Sequence, residues 1–351
     1  MSTGTSSATP VTYNDALDAV RQLDQDEQIR LISDLRTLLF PDPFATSTLA
    51  LNLKERRFHK GLTCPHCASD QIQRSGHYRN RQRYRCKSCQ RTFNDATGTP
   101  LAGTHLLGKW EDYIECMVKG MSLRKICKKL GITLTTAFTW RHKVLNALKR
   151  LTLDGFKGVL EADETYMLHS LKGAKDLGGR KPRKRGGKSE KRGISNDQDC
   201  ILVARDRTGG TLARVACQGR ISMRQAMTVL EGKLEDVTFF CTDAHGTWRA
   251  VAKAEEMTHV ELNASKGERV RGLYHIQNVN GFHRRLKQWM ERFNGVASKF
   301  LDNYLAWFLF LDAHSSEIPA AACEGLLAAA FMNPAHETYH TIKKTTFTLP
   351  A

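Results

Sequence analysis

A multidomain α/β fold is what this sequence predicts, and three observations carry the prediction. Two CxxC pairs stand 18 residues apart, from Cys67 to Cys86. A helix, a glycine turn and a second helix can be read within residues 109–150. Beyond them, strand-like segments carry carboxylates toward their ends. At 351 residues the chain has room for two or three domains and a sizeable core. No run approaches the roughly 20 apolar residues that span a bilayer, and the opening residues lack a secretory pattern. The chain is therefore read as cytoplasmic, where cysteines serve more often as metal ligands or buried thiols than in disulfides.

The formal net charge of +17 is unevenly placed. Residues 1–50 carry 3 basic and 7 acidic side chains, whereas residues 51–160 carry 22 and 7. A net of +15 over 110 residues is the electrostatic footprint of a polyanion partner, with plain solubility as the alternative.

Residues 1–50 read as an acidic helical leader. Asp15 to Leu23 is periodic, and Asp24-Gln-Asp-Glu27 has the form of a capping box. Ile29, Ile32, Leu35 and Leu39 then form an apolar stripe that needs a partner, in this chain or in another copy.

Residues 51–104 read as a zinc ribbon. Cys64-Pro-His-Cys67 and Cys86-Lys-Ser-Cys89 offer two thiolates each, and tetrahedral Zn²⁺ takes four. Tyr78 to Arg85 alternates like a strand between them. A segment this small lacks core, so the metal supplies much of its folding free energy. A redox dithiol is the alternative, which the second knuckle and the missing βαβ context argue against.

Residues 105–155 read as a helix-turn-helix: Trp110 to Val118, Leu123 to Leu130 after Ser122, the turn at Gly131, and Thr133 to Leu148. With the neighbouring charge, this pattern points to major-groove reading. Candidate DNA contacts are Arg124, Lys125, Thr135, Thr136, Arg141, His142 and Lys143, set against the alternative that about half are only solvated. Trp110 and Trp140 are expected in the core.

Residues 156–312 read as a sheet-based domain. Val159 to Tyr166 is a strand with Glu161 and Asp163 on one face and Glu164 on the other. The stretch 178–193, with eight basic residues, is expected as a flexible loop that touches phosphates through Arg183, Lys184 and Arg185. Cys200–Arg205 and Thr211–Ala216 form a hairpin around Thr208-Gly-Gly. A helix at Met223–Leu234, strands at Val237–Asp243 and His259–Leu262, and a helix from Asn278 to Phe293 follow. This is the element order of a ribonuclease-H-like fold, in which the Asp-bearing ends of its first and fourth strands lie side by side. Such a pair repels unless a divalent cation sits between, and Mg²⁺ or Mn²⁺, as two ions, suits nucleic-acid phosphates. Residues 313–351 read as a helical tail.

Several strings together resemble the bacterial insertion-sequence transposases of the ISXO-like group. They are Tyr84-Arg-Cys-Lys-Ser-Cys89 with Thr92-Phe93, Gly98-Thr99-Pro100, Thr136-Ala-Phe-Thr-Trp-Arg-His142, Glu161-Ala-Asp-Glu-Thr-Tyr166, Thr242-Asp-Ala-His245, and His275 to Lys287. The resemblance runs from about Cys64 to Phe310. It implies a zinc ribbon and helix-turn-helix joined to an integrase-type catalytic core. Its catalytic set falls on Asp163, Asp243, Asn280 and Lys287, the first three as Mg²⁺ ligands, with Glu161 or Glu164 compensating for the neutral Asn. Gln277 stands where the family usually has Asn, which makes Asn278 a rival to Asn280. The implied activity is strand cleavage and 3′-hydroxyl transfer on double-stranded DNA, by a homodimer or larger assembly associated with the nucleoid. A regulator with an inactive core and a nuclease without joining are the alternatives.

Overall fold

The computed structural model describes residues 12–25, 27, 28, 31, 35, 58, 61–78, 81–151, 153–177, 179, 181, 187, 189, 191–263, 266–332 and 337–350. They divide into two compact units, one of residues 1–95 with 105–110, the other of 96–104 with 111–351.

In the first unit, helix α1 (Tyr13–Arg21) begins at a capping box between Thr12 and Asp15. Asp24 and Glu27 exchange the two bonds expected of a second box, at 3.2 and 2.8 Å. Leu35 is exposed, and Ile29, Ile32 and Leu39 lie outside the described residues. Strands β1 (Ile72–Tyr78), β2 (Arg81–Cys86) and β3 (Thr92–Phe93) form an antiparallel sheet in that order. The buried core beneath it is Cys64, Cys86 and Phe93, with Leu62, Ile72, Tyr84 and Cys89 packed alongside.

Helices α2 (Trp110–Val118), α3 (Leu123–Leu130) and α4 (Leu134–Leu148) fall where the sequence places them. Gly131 ends α3 in the left-handed region, at φ 60°, which a residue without Cβ adopts at no steric cost. Thr133 then caps α4, its hydroxyl accepting from the Thr136 N–H at 3.1 Å. Trp140 is buried, as expected.

The sheet of the second unit comprises β4 (Lys157–Leu168), β5 (Gln198–Asp206), β6 (Thr211–Gln218), β7 (Asp236–Asp243) and β8 (Thr258–Leu262) in the order β6-β5-β4-β7-β8. The first three pair antiparallel, while β7 runs parallel to β4 and β8 parallel to β7. Asp206 closes the β5–β6 hairpin by accepting from Thr208 and Gly210 N–H groups at 2.9 and 2.8 Å. Parallel pairing requires a crossover, and α5 (Met223–Leu230) lies between β6 and β7. It stops four residues short of the expected Leu234, at Glu231, whose backbone is extended at ψ 130°. Helix α6 (Gly246–Ala254) and a small hairpin, β9 (Val270–Arg271) and β10 (Tyr274–His275), were not expected from the sequence.

Helices α7 (Gln277–Glu291), α8 (Leu301–Ala313), α9 (Pro319–Met332) and α10 (Tyr339–Lys344) complete the unit. Helix α7 packs on β4 and β5, α8 on β6, and α4 against α8, α9 and α10. The helical segment and the sheet are thus one packed body, with no gap near residue 155. Among the described residues, no helix is long and apolar enough to cross a membrane.

Candidate active site

In the ribbon, both CxxC pairs sit on turns that bring all four sulfurs within 4.8 Å of one another. Cys64 Sγ lies 3.6 Å from Cys89 Sγ, and Cys67 Sγ lies 3.6 Å from Cys86 Sγ. That is far beyond the roughly 2.05 Å of a disulfide. It is close to the edge of about 3.8 Å that follows from four Zn–S bonds of about 2.3 Å. The N–H of His66 donates to Cys64 Sγ at 3.4 Å and that of Cys89 to Cys86 Sγ at 3.5 Å. The Cys89 N–H holds the Cys86 thiol down to about 6. Four converging thiols, two of them already accepting N–H bonds, can hold zinc.

The second cluster lies at the carboxyl end of β7, where β4 runs on past their shared ladder. Glu161 pairs with Cys241 across the parallel ladder. Two residues further along that register stand Asp163 and Asp243. Burial, then the Glu164 and Asp243 carboxylates, push Asp163 up to about 7. Glu164 is also raised, by burial and then by Asp243. Its oxygens accept from Trp248 Nε1 at 3.2 Å and Tyr166 Oη at 3.3 Å. Asp243 accepts from the His245 N–H at 3.1 Å, and His245 itself caps α6. These carboxylates oppose one another's ionisation, and a cation among them would relieve it. All-oxygen donors suit a hard divalent ion such as Mg²⁺ or Mn²⁺. Among the described residues, the cysteines alone form a group of three or more His, Cys, Asp or Glu ligands within 4.8 Å; the carboxylates are more widely spaced.

Helix α7 supplies the rest. Asn280 and Lys287 are exposed on it, and the Lys287 charge counters the upward push on Asp163. Between them stands His283, 8% exposed, with Nδ1 3.8 Å from Asp163 Oδ2. Burial, then Lys287, hold it down to about 4. Its Nε2 is buried without a hydrogen-bond partner. His283 was missed in the sequence, although it lies three residues after Asn280 and four before Lys287, on the same helical face.

Glu161, expected as a compensating ligand, is fully buried and its oxygens are taken up elsewhere. Oε2 accepts from the N–H groups of Asn278 and Val279, at 2.9 and 3.2 Å. Oε1 accepts from Asn278 Nδ2 at 2.8 Å and pairs with Arg207 at 3.0 Å and His275 at 3.4 Å.

The expected DNA contacts divide. Arg124, Lys125 and Thr135 are exposed, while Thr136 is half-buried and joined to Thr133. Arg141 and His142 are corrected: each is 1% exposed. Arg141 lies 4.8 Å over the Trp307 ring and donates to Met121 O at 2.6 Å. His142 packs on Phe300 and Phe138, with ring centroids 4.1 and 4.4 Å away. Side chains buried this way cannot reach a phosphate or base. Lys143 is half-buried and donates to Ala102 O at 2.7 Å. Arg183, Lys184 and Arg185 lie outside the described residues.

Residues 155–311 match the ISXO2-like transposase domain family. A protein of Halobacterium salinarum, described as an uncharacterized protein in transposable element ISH50, is 27% identical over 276 residues. The alignment covers 76% of this chain and 90% of that one. A chain in the cryo-EM structure of the simian T-cell lymphotropic virus intasome with PP2A regulatory subunit B56 gamma aligns at 12% identity. That alignment spans 56% of this chain and 66% of the other, just under two thirds, and its TM-score of 0.25 carries no argument about the fold. The carboxylate-bearing sheet domain is thus similar to ISXO2-like transposase domains, and most of the chain is similar to a protein of a transposable element.

Proposed function

We propose that the protein binds the ends of its own element and catalyses divalent-metal-dependent DNA strand cleavage followed by 3′-hydroxyl strand transfer. The observation that carries this reading is the meeting of Asp163, just past the β4–β7 ladder, with Asp243 at the end of β7, where burial and then the Glu164 and Asp243 charges push Asp163 up to about 7. The strand order β6-β5-β4-β7-β8, with three antiparallel strands followed by two parallel ones, supports a ribonuclease-H-like core over 156–312.

In this reading Asp163, Asp243 and Asn280 hold the metal. A divalent ion held by them would supply Lewis-acid stabilisation of the attacking and leaving oxygens. Asn280 supplies a neutral oxygen, which leaves the site one negative charge short of an all-carboxylate set. Lys287 holds a DNA phosphate as a point charge, and His283 stands against Asp163. Arg124, Lys125 and Thr135, exposed on α3 and α4, make the helix-turn-helix contacts, and the ribbon over 51–104 takes zinc. The +15 charge of residues 51–160 makes binding strongly salt-dependent. Synapsis of two ends calls for a homodimer or larger assembly.

The test uses labelled end DNA and Mg²⁺, with the wild type beside Asp163→Ala and Asp243→Ala. Joined product from the wild type and none from the variants is expected. Cleavage without joining would make the protein a nuclease, and tight binding with neither product would make it a regulator; either outcome overturns the proposal.

A further inference from the structure

We propose that Glu161 is the positioning residue of this site: its carboxylate caps helix α7 from the central strand and thereby presents Asn280, not Asn278, to the Asp163–Asp243 pair. The catalytic consequence rests on the function proposed above; the structural part does not.

A helix needs acceptors for the N–H groups of its first turn, usually from a Ser, Thr, Asp or Asn at the N-cap. Helix α7 has Ile276 there, with no cap hydrogen bond of its own. The Gln277 N–H finds His275 Nδ1 at 3.3 Å. The next two, of Asn278 and Val279, donate to Glu161 Oε2. The missing cap therefore comes from a strand more than a hundred residues earlier in the chain. Negative charge is favoured at a helix N-terminus, and Arg207, 3.0 Å away, balances it. A buried carboxylate without such a partner would be costly.

Four donors surround these two oxygens, as many as the roughly four lone-pair sites a carboxylate offers. Glu161 has none left for a metal. The Asn278 amide is committed to it as well. At about 100° per residue, Asn278 and Asn280 point to nearly opposite sides of the helix. Asn280 instead shares a face with His283, which stands 3.8 Å from Asp163. Further along, Arg285 of α7 and Arg205 of β5 both grip Asp312 of α8, at 2.8 and 2.6 Å. That second pin fixes the middle of α7, so Glu161 decides how its first turn meets β4. Glu161 and Asp163 alternate onto one face of the same strand, so cap and metal ligand move together.

The experiment compares full-length wild type with Glu161→Ala, the isosteric Glu161→Gln, and Glu161→Ala carrying Ile276→Asp, which restores a local cap. Hydrogen exchange over 276–283 and Mg²⁺ titrations of end cleavage are the readouts. Both single variants should exchange roughly tenfold faster there. They should cleave on the order of 100-fold more slowly at saturating Mg²⁺, the cost of a misplacement near 1 Å. The half-saturating Mg²⁺ should rise with the displaced Asn280 while the DNA affinity stays at the wild-type value, and Ile276→Asp should restore both protection and Mg²⁺ dependence. Should Glu161→Ala fail to fold, Glu161→Gln carries the same comparison. Wild-type exchange in the Gln variant overturns the proposal, as does a raised Mg²⁺ requirement that persists when Ile276→Asp has restored protection, which would make Glu161 a ligand. If the wild type itself does not cleave, the proposed function falls while the exchange measurement still decides the cap.

Discussion

The ribbon buries Cys64, Cys86 and Phe93 as its core, whereas the main cluster of the sheet unit buries eighteen side chains. Both regions gather groups suited to a cation, and the difference in core size sets what the cation does. The ribbon has too little apolar surface to hold four thiols together without help, so a metal held by them would be part of its folding. The sheet unit buries Asp163 beside Glu164 and Asp243, and burial followed by those two charges raises it. There the fold carries the site, and metal relieves a cost already met. One site should therefore lose structure with its metal, and the other should lose only chemistry.

The largest effect expected from this contrast is on the ribbon. Removing zinc forfeits a binding free energy of about 10–16 kcal/mol. Circular dichroism and exchange should show residues 61–93 unfolding while the melting transition of the sheet unit persists. Ordered structure in the ribbon without metal would break the comparison.

The reverse sign is expected at Asp163. Its folded value, about 7, lies above the ordinary 3.8. Asp163's contribution to metal-free stability is therefore fully present below pH 3.8 and is lost as pH rises through 7. Asp163→Asn removes that penalty, and at pH 8 should stabilise the metal-free protein by up to about 4 kcal/mol. Thermal melts at pH 5 and 8 with and without the substitution check this. A destabilised variant at pH 8 would count against the strained pair.

An effect of similar size is expected at the buried His142. Burial, then Arg141, hold His142 down to about 3 from an ordinary 6.5. Its contribution is present above pH 6.5 and is lost as pH falls toward 3, at up to about 1.4 kcal/mol per pH unit. His142→Phe keeps the ring packing and should flatten that slope in acid titrations followed by fluorescence. Smallest is the cap of α4: Thr133→Ala should cost about 1 kcal/mol in denaturant melts, with no change in the zinc or Mg²⁺ dependence.

How much could be read beforehand follows the same division. The cysteine site spans 26 residues from Cys64 to Cys89, so spacing alone declared it. Strand β4 was legible from alternation, β5 from its apolar run before a hairpin turn, β7 from its apolar run, and α2 to α4 from their glycines and caps. Arg141 and His142 were misjudged because the side of α4 that bears them is covered by helices beginning at Leu301, Pro319 and Tyr339. Nothing local in α4 announces that cover. Glu161 was misread for a related reason: its partners Asn278 and Val279 lie 117 and 118 residues away. His283 was different, since helical spacing from Asn280 to Lys287 already pointed to it.

The central claim is that the Asp163–Asp243 pair performs metal-dependent strand transfer. Its most direct test measures joined product with precut end DNA and Mg²⁺, for wild type and Asp163→Asn at equal DNA occupancy. Joining by the wild type and a loss on the order of 1,000-fold in the variant is predicted, about 4 kcal/mol of barrier. A variant that binds and joins as well as the wild type would contradict the account.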